Sequence, residues 1–142
     1  MGSDGVFTVD RLVRFSHCDP GGIVYFPRYF DLMNAMVEDW FYQRLGLDYA
    51  GRLMSDGQGL PTVHAECDFV RPSLMGETLT WGLTVERVGT SSITVNIAAA
   101  CDGEERLRAT LVLVATSLDT HRPIALPDDL RQAVETYQAD CR

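Results

Sequence analysis

Hydrophobic and polar residues alternate along several parts of the chain, and this two-residue period predicts β-strands that bury one face. The alternation is found in residues 7–15, 63–69, 79–86 and 93–99. In the first of these, Phe7, Val9, Val13 and Phe15 share the apolar side. Turn-forming residues separate the later segments at a spacing expected for antiparallel neighbours.

A fifth strand is predicted at residues 107–118, where apolar side chains occur on both sides of the segment. Such a pattern is typical of a central strand, or of a strand that a second subunit also covers. The two explanations remain open at the level of sequence.

A period of three to four residues replaces the alternation between the first strand and the others, and it predicts a helix from roughly Arg28 to Leu45. Pro27 suits a first helical position, and Gly46 suits the C-cap. A second, shorter helix is predicted from Asp128 to about Gln138. Residues 47–59 between helix and sheet are rich in glycine and polar residues, so we expect an irregular loop, which covers the core or lies over a pocket.

One strand, one long helix and four consecutive strands form an α+β pattern, in which the helix buries its apolar stripe against a curved antiparallel sheet of about five strands. We expect a single domain over residues 1–142. One major helix leaves sheet edges and apolar surface uncovered in a lone subunit, so the pattern also predicts a homodimer or a larger homo-oligomer.

Composition narrows the classes of partner. The net charge is −8, which argues against broad binding to nucleic acid or to anionic membranes. The four cysteines lack the spacing of a zinc site or a disulfide framework, so no metal and no cofactor is predicted. No signal peptide and no apolar run of membrane-spanning length is present, and we expect a cytoplasmic protein.

Candidate chemistry lies in the turn before the long helix, where Asp19 is followed by Pro20, Gly21 and Gly22. Unpaired amides at the helix start, around residues 25–29, are suited to stabilise an oxyanion. On these residues alone, a purely structural role for Asp19 is the stronger interpretation, because an aspartate in such a turn usually forms a hydrogen bond within its own loop.

The same stretch resembles the 4-hydroxybenzoyl-CoA thioesterase family of hotdog-fold enzymes. The resemblance is carried by the residues Arg14, Phe15, Cys18-Asp19-Pro20, Gly22-Ile23-Val24, Phe26-Pro27, Tyr29 and Asp68-Phe69-Val70. It implies a hotdog fold and an acyl-CoA substrate. It also implies dimers that often pair into tetramers, with the active site at the subunit interface. The family's catalytic aspartate falls on Asp19, and its oxyanion-binding amide falls near Phe26.

The substrate-binding residues that follow from this resemblance are Tyr25, Asn34, Tyr49, Gly89, Thr90 and Ser91. Asn34 stands where the hydroxybenzoyl enzyme keeps an acidic residue at the phenol end of its pocket, although a polar residue at a helix–sheet seam would look the same. Residues 89–91 stand where the family has a basic cluster for nucleotide phosphates, yet they are uncharged here. Arg87 or Arg71 could assist them, and an ordinary hairpin turn is the simpler interpretation.

The predicted reaction is thioester hydrolysis, with Asp19 either as nucleophile or as general base for water. One alternative is a hotdog dehydratase acting on a hydroxyacyl thioester, with His17 or His64 as the required histidine. Another is a non-catalytic acyl-CoA-binding protein. His64 and Glu66 share a strand face and line either a pocket or a solvated surface.

Overall fold

The protein is described by a computed structural model that covers residues 5–141. The strands are β1 (Phe7–Leu12), β2 (Gln58–Gly59), β3 (Thr62–Phe69), β4 (Thr78–Val88), β5 (Ser92–Cys101), β6 (Glu104–Val114) and β7 (Thr116–Ser117). The helices are α1 (Arg28–Asp39), its π-helical continuation Trp40–Leu45, α2 (Tyr49–Met54) and α3 (Asp128–Asp140), and a 3₁₀ turn occupies Phe15–His17.

Five strands form one antiparallel sheet in the order β1-β4-β5-β6-β3. Short turns join β4, β5 and β6, so each of these strands pairs with the next along the chain. Strand β6 lies between β5 and β3, which confirms its prediction as an interior strand. The two-residue strands β2 and β7 pair separately.

The long helix packs its apolar stripe onto this sheet, as predicted. Met33, Met36 and Trp40 are almost wholly buried, and so is Trp81 of β4 beneath them. The helical turns widen to the π form after Asp39 and end at Gly46, whose φ of 69° is the left-handed value that favours glycine at a helix C-terminus. Both ends of the predicted helix are therefore confirmed.

The C-terminal helix α3, also predicted, closes the other part of the core. The Tyr137 hydroxyl accepts a hydrogen bond of 2.8 Å from the Phe7 amide and donates to the Leu83 carbonyl. This one hydroxyl thereby ties α3 to both β1 and β4. The Arg44 guanidinium lies 4.9 Å from the centre of the Tyr137 ring, which is cation–π distance.

Two local predictions are wrong. Residues 47–59 are not irregular, since α2 and β2 form there, and Tyr49 of α2 meets Phe41 of the π-helical continuation edge-on. Phe15, predicted on the buried side of the first strand, is 80% exposed. The reason is that β1 ends at Leu12 and the chain then enters a 3₁₀ turn, which breaks the two-residue alternation.

Strand β3 differs from its prediction in a more informative way. The alternation predicted one buried face, yet seven of its eight residues are exposed and Cys67 is half-buried. The strand is the edge of the sheet opposite β1, whereas α1 and α3 both contact β4. In the isolated chain, both faces of β3 are largely exposed.

Residues 5–141 contain no helix that combines the length and the apolar character needed to cross a membrane.

Candidate active site

The predicted catalytic residues lie in a short hairpin-like segment that we call the Asp19 loop (residues 17–26). The Tyr25 amide donates to the His17 carbonyl at 2.9 Å, and the Asp19 amide donates to the Ile23 carbonyl at 2.9 Å. A tight turn closes the tip, where Gly22 has a φ of 82°. The loop therefore brings the predicted aspartate and the start of the long helix into one compact unit.

The Asp19 side chain is half-buried and supports its own turn. Its Oδ1 accepts a hydrogen bond of 2.8 Å from the Gly21 amide, which is the Asx-type arrangement expected of an aspartate in such a turn. No hydrogen bond to the other carboxylate oxygen is found within residues 5–141. One oxygen therefore fixes the carboxylate, and the second is available for chemistry.

Within residues 5–141, the backbone amide of Phe26 is free to donate a hydrogen bond to a substrate. The amides on either side of it are paired within the protein: Tyr25 donates to the His17 carbonyl, Arg28 to Tyr25 and Tyr29 to Phe26 itself. The Phe26 amide has no acceptor in the described part of the chain. A donor left free at the start of a helix is suited to bind a developing oxyanion.

An apolar groove of about 650 Å³ runs beside α1, on the side of the sheet that the helix covers. Two of the predicted substrate-binding residues, Asn34 and Tyr49, line it together with Phe30 and Met33. Burial, and then the charge of Glu38, raise the pKa of the Tyr49 phenol, so that side chain remains a neutral hydrogen-bonding group.

His121 also lines this groove, and its backbone has a φ of 59°, a left-handed value uncommon for a non-glycine residue. The sequence analysis did not assign it to the site, because nothing in the residues around it signals that conformation. Like Asn34 and Glu38, it adds a polar residue to largely apolar walls.

Phe26 lies against the end of β3, and Tyr25 lies against Phe26. The Phe26 ring meets Tyr25 and Phe69 edge-on, with centroids 5.8 Å and 5.9 Å away. Tyr25, Phe26 and Phe69 are each about half exposed. The Asp19 loop and the uncovered strand thus share one exposed aromatic surface.

The third part of the predicted site, residues 89–91, lies elsewhere. It forms the β4–β5 hairpin turn, at the far end of the eleven-residue strand β4 from the turn that borders the Asp19 loop. At about 3.3 Å per residue, this separation is on the order of 30 Å. Arg131 of α3 donates to the Gly89 and Thr90 carbonyls, at 2.6 Å and 3.1 Å. Within one chain, these residues are not brought together with Asp19.

The larger groove, of about 740 Å³, is lined on the other face of the sheet by Glu66, Asp68, Thr84 and Asn96. Asp19 lines neither of the two large grooves. Among residues 5–141, no three His, Cys, Asp or Glu side chains are grouped so that they would hold a metal ion.

The histidines invoked for a dehydratase have other partners. The His17 Nδ1 accepts a hydrogen bond of 3.0 Å from the Arg14 amide, and burial together with nearby arginines, Arg14 foremost, lowers the pKa of that imidazole. His64 lies 2.7 Å from Glu66 and is exposed. Since Glu66 lines the groove on the opposite face of the sheet from α1, this pair is separated from Asn34.

Comparisons with known proteins identify the family. The sequence model of the thioesterase-like superfamily matches residues 13–134 of this chain. A 1,4-dihydroxy-2-naphthoyl-CoA hydrolase of Synechocystis is 30% identical, over 87% of this chain and 85% of the relative. A hydrolase of the same name from Nostoc punctiforme is 25% identical, over 94% and 90%.

Solved structures show the same fold. A 1,4-dihydroxy-2-naphthoyl-CoA thioesterase from Synechocystis superposes with a TM-score of 0.83 at 24% identity, covering 91% of this chain and 95% of that one. A gentisyl-coenzyme A thioesterase superposes with a TM-score of 0.82 at 20% identity, covering 90% and 99%. The chain belongs to the thioesterase-like superfamily and has its hotdog fold. The predictions of fold and of an acyl-CoA thioesterase are confirmed.

Proposed function

We propose that this protein hydrolyses an aromatic, hydroxyl-bearing acyl-CoA to the free acid and CoA, with the chemistry at the Asp19 loop. The observation that carries the proposal is the pairing of an anchored Asp19 carboxylate with the Phe26 amide, which has no acceptor within residues 5–141. A carboxylate and an unused amide in one loop are the two groups that thioester hydrolysis requires.

In this proposal, the thioester carbonyl oxygen binds the Phe26 amide, and that hydrogen bond strengthens as the oxygen becomes negative. As nucleophile, the free Asp19 oxygen attacks the carbonyl carbon, the carbon–sulfur bond breaks, and water then hydrolyses the anhydride. As general base, Asp19 takes a proton from water while the water oxygen attacks the same carbon; the carbon–sulfur bond then breaks and the proton passes from Asp19 to the sulfur. Both routes release CoA as a thiol.

The acyl group is proposed to occupy the groove beside α1. The helix begins at Arg28, beside the Asp19 loop, and Asn34 lies six residues further on, about 9 Å along the helix axis. An acyl group that extends from the loop to Asn34 would therefore have the length of a ring system and not of a long aliphatic chain. Asn34 and His121 give apolar walls two polar groups able to hydrogen-bond a ring hydroxyl. The names of the relatives, which refer to dihydroxynaphthoyl and gentisyl thioesters, support the same substrate class.

We further propose that the active protein is a homodimer or homotetramer with β3 in the interface. The edge strand is exposed on both faces in the isolated chain, and its exposed aromatic end adjoins the Asp19 loop. A strand edge with apolar side chains is ready to pair with another chain. An interface there would complete the groove. It would also let residues 89–91 of one subunit contact the phosphates of a CoA bound at Asp19 of another.

The test is a panel of aromatic and aliphatic acyl-CoA esters, with release of free thiol followed by a thiol reagent. We expect hydroxylated aromatic esters to give the highest kcat/KM. Preference for long aliphatic esters would contradict the substrate class. Tight binding without thiol release would favour the non-catalytic alternative, and enoyl absorbance from hydroxyacyl-CoA without thiol release would favour the dehydratase.

A further inference from the structure

An ion pair between a buried arginine and a half-buried glutamate lies outside the groove and the Asp19 loop. Arg106 of β6 has a side chain that is only 8% exposed, and it donates to both carboxylate oxygens of Glu77, at 2.7 Å and 3.0 Å. These hydrogen bonds, with one from the Leu74 amide, lower the pKa of Glu77 to about 2. The pair is therefore charged and bidentate, the strongest form of such a contact.

Arg106 and Glu77 together hold the β3–β4 turn (residues 70–77). The Arg106 guanidinium also donates to the Pro72 carbonyl at 3.1 Å and lies 3.4 Å from the Ser73 hydroxyl. Glu77 accepts the Leu74 amide at 2.7 Å. The beginning and the end of the turn are thus attached to the same guanidinium.

The β3–β4 turn in turn holds the Asp19 loop. The Val24 amide donates to the Ser73 carbonyl and the Met75 amide donates to the Gly22 carbonyl, both at 3.0 Å. Gly22 and Val24 flank Ile23, whose carbonyl accepts the Asp19 amide. Direct hydrogen bonds thus connect the turn to residues 22 and 24, and the bond to Ile23 connects these residues to Asp19. A shift of the turn would therefore move the backbone that carries the Asp19 carboxylate.

The strand entering the loop is held by the same turn. The Val13 amide donates to the Glu77 carbonyl at 2.7 Å, and the Gly76 amide donates to the Val13 carbonyl at 2.9 Å. The turn therefore holds the chain both before the Asp19 loop, at Val13, and within it, at residues 22–24.

We propose that Arg106 and Glu77 are positioning residues, which act through the β3–β4 turn to set the place of the Asp19 carboxylate relative to the Phe26 amide. The inference rests on the proposed function in assigning chemistry to Asp19. A buried ion pair is weak evidence for stability, because apolar residues of similar size often replace one without loss. Reacting groups, in contrast, tolerate little displacement, and about 1 Å can cost ~100-fold in rate.

The experiment replaces the pair by apolar side chains, combining Glu77→Met with Arg106→Met. Glu104, whose carboxylate lies 3.0 Å from the Arg106 guanidinium, loses its partner in this double variant, but its side chain is about half exposed. No buried charge is left unpaired, so we expect a melting temperature close to that of the wild type. We expect kcat to fall by roughly 10–100-fold and KM to change by less than about threefold, because the reacting groups move while the groove does not. Wild-type kcat in the folded double variant would overturn the proposal.

A second variant guards against misfolding of the first. Arg106→Lys keeps the charge but cannot make the bidentate contact, so we expect an intermediate kcat at unchanged KM. Wild-type kcat in this variant would also overturn the proposal. Arg44→Gln is the matched control, since Arg44 forms a partly exposed pair with Asp140, belongs to neither the turn nor the Asp19 loop, and its loss should leave kcat unchanged.

A measurement without substrate separates this inference from the proposed function. Amide hydrogen exchange at Val24 and Met75 should be faster in the double variant and in Arg106→Lys than in the wild type, whereas exchange in α1 stays the same. Unchanged exchange at these amides would overturn the positioning role. Absence of thioester hydrolysis in the wild type would overturn the proposed function alone.

Discussion

Asp19 is held through one carboxylate oxygen and has the other free, so its replacement tests chemistry with little effect on the loop. Asparagine in place of Asp19 keeps an acceptor for the Gly21 amide but cannot act as base or nucleophile. We expect Asp19→Asn to lose at least about 100-fold in kcat while its melting temperature stays near that of the wild type. Thiol release and thermal unfolding are the measurements.

Glu38→Gln is the control for this variant, because Glu38 is the carboxylate that lines the acyl groove from the long helix. We expect it to keep most of the activity. A large loss in Glu38→Gln with near-normal turnover in Asp19→Asn would move the catalytic role to the helix.

The Phe26 contribution comes from its backbone, so a side-chain change and a backbone change should differ. Replacing the amide by an ester at this residue removes the donor and should lower kcat by about 100–1,000-fold, the range for loss of one oxyanion-binding group. Phe26→Leu keeps the amide and should change kcat far less. Equal effects of the two changes would contradict a role for the amide.

Asn34 allows a test of substrate preference. In Asn34→Leu, the groove keeps its volume but loses a hydrogen-bonding group. We expect kcat/KM for a hydroxylated aromatic ester to fall roughly 10-fold or more relative to the same ester without the hydroxyl. If both esters lose equally, Asn34 does not recognise the hydroxyl.

At the scale of residues, the sequence located the part of the candidate site that is local in the chain. Asp19 and Phe26 stand seven positions apart in one recognisable turn. Arg106 and Glu77 escaped notice because the residues of the pair are 29 positions apart and each looks like an ordinary surface charge. Only the fold brings them together.

At the scale of elements, the contribution of the β3–β4 turn to the free energy of unfolding should depend on pH. The folded-state pKa of Glu77, about 2, lies below its ordinary value of 4.5, so the folded state favours the ionised form. The resulting stabilisation is full above about pH 4.5 and is lost as the pH falls toward 2. Glu77→Gln lacks this component and should be less stable than the wild type at pH 7.

The difference in unfolding free energy between Glu77→Gln and the wild type should therefore shrink as the pH falls from about 4.5 to about 2. Urea denaturation at a series of pH values measures it. A difference that stays constant over that interval would show that ionisation of Glu77 does not contribute.

Long helices and strands with a regular apolar period could be predicted from the sequence. The short helix α2 and the exposure of β3 could not, because neither is encoded in such a period. The long helix and the interior strands repeat their apolar residues often enough to be recognised. The helix α2 is only six residues long and contains Gly51, so its pattern is too short to show a period. Alternation in β3 indicates a strand with an apolar side, but it carries no information on what covers that side.

For the whole molecule, the uncovered β3 edge leads to a prediction about assembly. Val63 is 61% exposed on this strand, and a lysine there should oppose pairing with a second chain. We expect the wild type to have the mass of two or four 15.8 kDa chains by light scattering, and Val63→Lys to shift toward the monomer with reduced activity.

Leu12→Lys is the matched control, because Leu12 is an exposed apolar residue on β1, the opposite edge of the same sheet. It should leave the mass unchanged. A monomeric wild type with full activity, or dissociation by Leu12→Lys alone, would contradict an interface at β3.

The Tyr137 hydroxyl has a consequence for how the protein is made. Its partner amide at Phe7 emerges from the ribosome 130 residues earlier, and until α3 follows, the edge of β1 and part of the core have nothing to close against. Contacts so distant in the chain form slowly, since a long loop must first be ordered. The nascent chain should therefore stay open to chaperones until α3 has been synthesised, because the core is closed only when that helix packs.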